Sequence, residues 1–499
     1  MGEDGNMKTL ACLLALLLPL AASGEPLPRP EIRPGTVVRL SQTDDAGYRT
    51  VGEETGGPGL LLTFPPVEME TTPDPAIRLA GRVEDRVEVT VNGDPVKVYP
   101  GGSFVALAPL GPGGNSIAVA AGDGRGETVY RLAVARETPD RAPGPEREEF
   151  TPSRRGRVRD PGAPLRYFPG GPRILDLPGG TALRVDGREG NWLRAKLGGG
   201  VSGWIAGGSV ETAGEAAPDP ARIGGVSFDA EKKQAWFSLA EPVPARVDYL
   251  SPDELDLVFF NAVPGSETID LGGWEGICLP GPAGDGTTVF RLRGGLDCHR
   301  WSLERLPGGY RLSWAGRPRR TAPVCLDPGH GGDNRGAVSP GGVTEKDANL
   351  ALARAVAEEL ERAGVEAFLT REGDQTLGLN ERIEIARRRG AGLFVSLHHN
   401  SVGAGRDPLA GTGYVIFYYH PPGRELAGEI HRALETAGRE GIGVRRQSLA
   451  LLRHSDLVAA LVETAFLSHP GDEAEILDPE VRKTTARAIA KGIGEYLDR

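Results

Sequence analysis

The sequence predicts a multidomain chain in which several β modules precede a C-terminal α/β domain with a mainly parallel sheet. Three observations carry that expectation. At 499 residues the chain is too long for one ordinary core, so three or four domains are expected. Its 72 Gly and 41 Pro fall between short apolar runs rather than in blocks, which suits many short strands and turns. At about residue 322 the pattern changes to strand–helix–strand, the alternation that covers a parallel sheet on both faces. Lys and Arg number 57 against 68 Asp and Glu, a net charge of −11 with no basic stripe, which argues against a nucleic-acid partner.

Residues 1–24 read as an export signal: Met7-Lys8 precedes an apolar run from Leu10 to Leu20 and the small residues Ala21-Ala22-Ser23. The run is too short for a permanent membrane-spanning helix. No second hydrophobic stretch follows, so a soluble protein of the periplasm or cell wall is expected. The acidic segment Met1–Asn6 is foreign to such a signal, and Met7 offers the alternative start. No Cys follows the signal directly, so no lipid anchor on the mature N-terminus is expected. Residues 25–64 are Pro- and Gly-rich and predict no particular element. Over 65–136 the pattern is all β: Val87, Val89 and Val91 alternate, Asn92-Gly93 turns the chain, and Val96 and Val98 alternate again. With Phe104 and the segment Gly113–Ile117, this stretch resembles a bacterial immunoglobulin-like sandwich. A Pro-rich, charged linker is expected at 137–152.

Residues 153–212 carry Gly190-Asn191-Trp192-Leu193-Arg194-Ala195 and Gly203-Trp204-Ile205. This pair of patches is similar to bacterial SH3 domains, small barrels that often hold cell-wall peptides. Trp192 and Trp204 either serve such binding or belong to the barrel core. Residues 213–320 again alternate strands and turns, through Trp236–Leu239, Leu255–Phe260 and Tyr310–Trp314, and resemble a β-sandwich targeting module. Cys278 and Cys298 lie 20 residues apart in this region and are expected to pair in an oxidising compartment, leaving Cys325 as a buried thiol.

The last domain, 321–499, opens with the strand Val324-Cys325-Leu326. Leu350, Ala353, Val356, Ala357 and Leu360 then recur at helical spacing, and Gly364 closes the helix. Strands are expected at Val365–Thr370, Leu393–Leu397, Tyr414–Tyr418 and Ala459–Val462, and helices near 379–390 and 423–437. A final helix carries Ile489, Ile493 and Tyr496.

Seven of the eight histidines lie beyond residue 320. His330 sits in a Gly-rich loop after the first strand, His398 follows Phe394–Leu397, and Glu463 ends Ala460-Leu461-Val462. In open α/β sheets, sites form beyond the carboxyl ends of the strands. These three groups should therefore converge, and Glu345, at the start of the first helix, borders the same crevice. Two imidazoles and one carboxylate with an open fourth position are the usual donors of a hydrolytic zinc. Such an ion acidifies water and polarises a carbonyl, and a second carboxylate beside it serves as general base. The competing reading of an isolated histidine is a hydrogen-bonded structural residue; that of Glu463 is a salt bridge to Arg371 or Arg382.

Five segments resemble, in order, the zinc-dependent N-acetylmuramoyl-L-alanine amidases over about 322–497. They are Leu326-Asp327-Pro328-Gly329-His330-Gly331-Gly332, Glu345-Lys346-Asp347, Leu369-Thr370-Arg371, Ser396-Leu397-His398-His399-Asn400 and Leu461-Val462-Glu463-Thr464-Ala465-Phe466-Leu467. The resemblance implies that His330, Glu345 and His398 hold Zn2+ and that Glu463 is the catalytic proton shuttle. It implies peptidoglycan as substrate, cut between the lactyl group of muramic acid and the L-alanine of the stem peptide. Neighbours on a strand point to opposite sides, and the pattern Ser-x-His-x-Asn selects His398, leaving His399 either solvated or behind the ligand. Where the family usually has Pro, Gly and Asn, this chain has Ala459-Ala460, Ala465 and Arg387; none of these removes a ligand. Between Tyr419 and Val444, where some relatives insert a long inhibitory helix, there is room for one helix-sized segment. Two rival functions stand beside this one: a zinc amidohydrolase acting on another exported wall peptide, and a non-catalytic wall-binding scaffold.

Overall fold

A computed structural model describes residues 25–41, 48–53, 56–84, 86–137, 146–198, 200–213, 219–265, 275–280 (backbone), 286–403 and 406–499. The expected signal, 1–24, lies outside them. Among the described residues no helix is long and apolar enough to cross a membrane.

Residues 36–136 form a two-sheet sandwich. The stretch 25–64, for which the sequence predicted no element, supplies three of its strands: Thr36–Leu40, Tyr48–Glu53 and Leu60–Phe64. Leu60 and Leu62 join Val37, Leu79, Val89, Phe104 and Val119 in one core, so burial on the sandwich face outweighs the local Pro and Gly content. The Asn92-Gly93 hairpin forms as expected: both residues take the positive φ (52° and 88°) that a tight two-residue turn requires, and Val91 pairs with Asp94.

The second half of the expected linker is instead part of the strand Arg147–Val158. Pro152 is tolerated there because the ladder to Ala182–Glu189 breaks register between Glu149 and Arg154, so its missing N–H costs no pairing. That strand opens a seven-stranded antiparallel sheet reaching Val210–Ala213. Leu193, Ala195 and Ile205 point into its core, whereas Trp192, Arg194 and Trp204 alternate to the other face and are half-buried. The two tryptophans are therefore not core residues.

Residues 221–315 make a second two-sheet sandwich. Its run Leu255–Phe260 serves two cores at once: Leu255, Leu257 and Phe259 face its own interior, and Val258 and Phe260 face the core of the preceding seven-stranded sheet. The expected Cys278–Cys298 pairing does not form; Cys298 is a free buried thiol among the described residues. Cys278 stands opposite Phe290 on the strand Thr288–Arg293, whose other neighbour is Glu254–Phe259, and the Cys298 N–H bonds to the Pro252 carbonyl beyond the end of that neighbour. Two strand spacings, roughly 10 Å, exceed the ~7 Å between Cα atoms that a disulfide spans.

The C-terminal domain comprises β1 (Val324–Pro328), α1 (Glu345–Arg362), β2 (Ala367–Leu369), α2 (Leu379–Arg388), β3 (Leu393–Asn400), β4 (Tyr414–Tyr418), α3 (Pro421–Thr436), β5 (Gly441–Arg446), β6 (Val458–Phe466), α4 (Pro470–Leu477) and α5 (Pro479–Leu497). The sheet order is β2-β1-β3-β6-β4-β5. It is mixed rather than purely parallel: β4 runs antiparallel to β6, and the other neighbours are parallel. Strand alternation sets the two layers. Leu393, Val395 and Leu397 pack with α1, α3 and α5, while Phe394, Cys325 and Leu461 pack with α2. Cys325 is the buried thiol expected of it, and burial pushes that thiol well above its ordinary range.

Candidate active site

The carboxyl ends of β1, β3 and β6 and the first turn of α1 bring together the four groups singled out in the sequence. Register places Glu463 of β6 beside His398 of β3. Glu345 is the first residue of α1, where the positive end of the helix dipole favours a carboxylate. Its Oε1 lies 3.0 Å from His398 Nδ1 and its Oε2 lies 3.1 Å from His330 Nε2. One donor atom from each of His330, Glu345 and His398 falls within 4.8 Å of the others, a spacing that one metal ion could bridge.

His330 and Glu345 are held from behind. His330 takes a left-handed backbone (φ 62°), a conformation that costs a non-glycine residue about 1–3 kcal/mol. Arg382 pins it by donating to the His330 carbonyl at 2.6 Å, and Asn334 Oδ1 sits 3.0 Å from Nδ1, leaving Nε2 to face Glu345. Glu345 Oε2 accepts from the Ala337 N–H at 2.9 Å; Oε1 accepts from Asn349 Nδ2 and from the His399 N–H, both at 3.3 Å. Gly329 has to be glycine, because a Cβ there would lie 2.0 Å from the His398 ring.

Neither arginine considered as a partner for Glu463 reaches it. Arg382 pairs with fully buried Asp327 at 2.8 Å and donates to the Pro328 carbonyl, while Arg371 donates to the carbonyls of Pro328, Gly329, Gly373 and Lys346. Thr370 and Ser396 complete the shell around Asp327. Both arginines hold the Asp-Pro-Gly-His loop in shape. Glu463 Oε2 is buried and has no hydrogen-bond partner among the described residues.

The electrostatics separate the two carboxylates. Burial alone would raise Glu345, but hydrogen bonds from His330 and His398 outweigh it and hold the carboxyl well below the usual range. Burial dominates at Glu463; with Glu345 nearby it overcomes the pull of His398 and His330, so the carboxyl is pushed up to about 7. Burial disfavours charge on His398, yet Glu345 and Glu463 together raise its pKa. His399 turns to the opposite side of β3, as alternation requires. It is buried rather than solvated, with Nδ1 2.7 Å from Asn349 Oδ1, and burial lowers it to about 4. Asn349 thus links Gly329, Glu345 and His399, and Asn334 steadies His330. Sequence reasoning did not single out either asparagine. For Asn349 the available signal was a polar residue four positions after Glu345, in line with it on one helix face.

Two imidazoles and a carboxylate beside a second carboxylate of elevated pKa define the site as that of a candidate metal-assisted hydrolase. Residues 324–495 match the model of the N-acetylmuramoyl-L-alanine amidase family. The amidase AmiC of Neisseria meningitidis serogroup B is 30% identical over 226 residues, 37% of this chain and 54% of that protein. The uncharacterized protein YqiI of Bacillus subtilis is 32% identical over 189 residues, 37% of this chain and 89% of that protein. Among solved structures, the amidase AmiC2 of Nostoc punctiforme is 36% identical, with 36% of this chain and 99% of that chain covered and a TM-score of 0.34. Residues 324–495 thus form an N-acetylmuramoyl-L-alanine amidase domain. The chain spans about half the length of the Neisseria relative.

Proposed function

We propose that the chain is a zinc-dependent N-acetylmuramoyl-L-alanine amidase that cuts peptidoglycan between the lactyl group of muramic acid and the L-alanine of the stem peptide. The observation that carries this reading is the convergence of His330, Glu345 and His398 within 4.8 Å beside the unpartnered Glu463 oxygen. The donors suit zinc: two nitrogens and one carboxylate oxygen, the set that leaves a hydrolytic ion its fourth position. When bound there, the ion supplies a positive charge that polarises the scissile carbonyl and acidifies water.

The chain's own residues do the rest. Asn334 and Asn349 orient donors from behind, as outer partners of metal ligands do. Glu463 accepts the proton of the attacking water and returns it to the leaving alanine nitrogen, because an amide nitrogen departs only when protonated. Burial, which raises this carboxyl, favours its holding the proton between the two transfers.

Export by residues 1–24, wall contact through an SH3-like module within 147–213, an immunoglobulin-like sandwich at 36–136 and a targeting sandwich at 221–315 complete the proposal. The test is digestion of purified sacculi with and without a chelator, followed by mass analysis of the products. Release of intact stem peptides that stops on chelation is expected. Cleavage at another amide bond, or binding without release, would refute the assignment.

A further inference from the structure

The segment leading into the first sandwich does not behave as a tether. Leu27, 8% exposed, sits in a cluster with Val343, Ala348, Ala465, Leu467 and Ile476 of the C-terminal domain. The Glu25 carbonyl accepts from Arg482 at 2.8 Å. Four more contacts reach one loop, residues 335–344. Arg335 donates to the Ser41 carbonyl at 2.9 Å, Tyr48 Oη to the Gly342 carbonyl at 3.0 Å, and Thr63 Oγ1 to the Pro340 carbonyl at 3.4 Å. Gly342, at φ 89°, lies so close to Pro30 that an added Cβ would come within 2.5 Å of the ring.

This loop connects His330 to Glu345. Its Ala337 holds Glu345 at two points, through the N–H to Oε2 at 2.9 Å and through the carbonyl to the Glu345 N–H at 2.8 Å. Gly336, Gly341 and Gly342 lie along it, and glycine gives a loop little stiffness of its own. Arg78 of the same sandwich donates to the Val402 carbonyl at 3.1 Å, two residues past the end of the strand that carries His398. The sandwich therefore grips both loops that flank the donor cluster.

We propose that residues 25–64 set the metal affinity of the site, with Leu27 and Tyr48 as positioning residues acting through the loop 335–344. This rests on the reading of His330, Glu345 and His398 as the metal-holding group. The full-length protein is compared with Leu27→Ala, Tyr48→Phe and the double variant, and the Zn2+ dissociation constant is measured by competition with a chromogenic chelator. Ser455→Ala serves as control; it removes the 2.8 Å bond to the Trp301 carbonyl at the other sandwich.

The double variant should bind zinc roughly 10- to 100-fold more weakly, the usual effect of disturbing a ligand's supporting partners. Tyr48→Phe, which loses only a hydroxyl, should show part of that loss, Leu27→Met should restore most of it, and Ser455→Ala should leave the constant unchanged. A purely structural contact would lower the melting temperature of the stripped protein without moving the constant, and that outcome overturns the proposal. If the unaltered protein binds no zinc, the metal reading itself falls and takes this inference with it. If it binds tightly and all variants match it, only the inference is lost.

Discussion

Replacing Glu463 by Gln keeps the shape of the side chain and removes its ability to take a proton. The structure predicts two separate consequences. In the metal-loaded enzyme, hydrolysis of sacculi should fall by roughly 10²- to 10⁴-fold, the usual effect of a positioned acid–base group, while zinc content stays that of the unaltered protein. In the chelator-stripped protein the same change should stabilise the fold. The Glu463 carboxyl moves from an ordinary 4.5 to about 7 on folding because burial disfavours its charge. The folded state thus holds this proton to higher pH than the unfolded state, and stability is lost as pH rises from 4.5 to 7. At about 1.4 kcal/mol per pH unit, the loss reaches about 3 kcal/mol above pH 7. Gln carries no such penalty. Urea unfolding of stripped proteins should therefore give equal stabilities near pH 4 and a Gln variant more stable by up to about 3 kcal/mol at pH 8. Zinc lost together with activity would make Glu463 a ligand; persistent activity would assign the proton transfer elsewhere; and a stability difference that ignores pH would refute the burial argument.

Three further outcomes follow from neighbouring residues. His398→Ala should lose zinc, whereas His399→Ala should keep it and forfeit about 1–3 kcal/mol by stranding Asn349 Oδ1, as metal analysis and urea melts would register. Arg382→Met leaves Asp327 fully buried and short of its charged partner, so unfolding free energy should drop by about 3–5 kcal/mol; a drop under 1 kcal/mol on the order expected of a surface pair would contradict that burial. His420 is packed edge-on against Trp301 of the second sandwich, and burial lowers it to about 4. Its folded pKa lies below the unfolded 6.5, so the stability it protects is present above pH 6.5 and drains away toward pH 4, by about 3 kcal/mol; denaturation of His420→Gln should show a correspondingly shallower acid dependence.

What could be read from the sequence followed the apolar pattern. Strand ends are visible as the last residues of apolar runs, which is enough to place His330, His398 and Glu463 at one edge of the sheet. Strand direction leaves no such mark: Tyr414–Tyr418 reads the same whether parallel or antiparallel to β6, and it proved antiparallel. Gly441–Arg446 is mostly exposed at the sheet edge and carries too few apolar residues to signal a strand. Residues 36–64 resisted reading because their Leu and Val are buried by partners distant in sequence, such as Leu79 and Phe104. The contacts that steady the site, from Asn349 to Tyr48, are single polar side chains whose roles depend on what folds against them.

Val258 and Phe260 lie on a strand of one module and in the core of another. The connecting peptide between the seven-stranded sheet and the second sandwich therefore does not govern how far apart the two can move. Val258 and Phe260 would hold the two halves together even if no covalent link joined them. Force applied to the seven-stranded sheet would be transmitted through these side chains, so the pair would resist shear as one mechanical body.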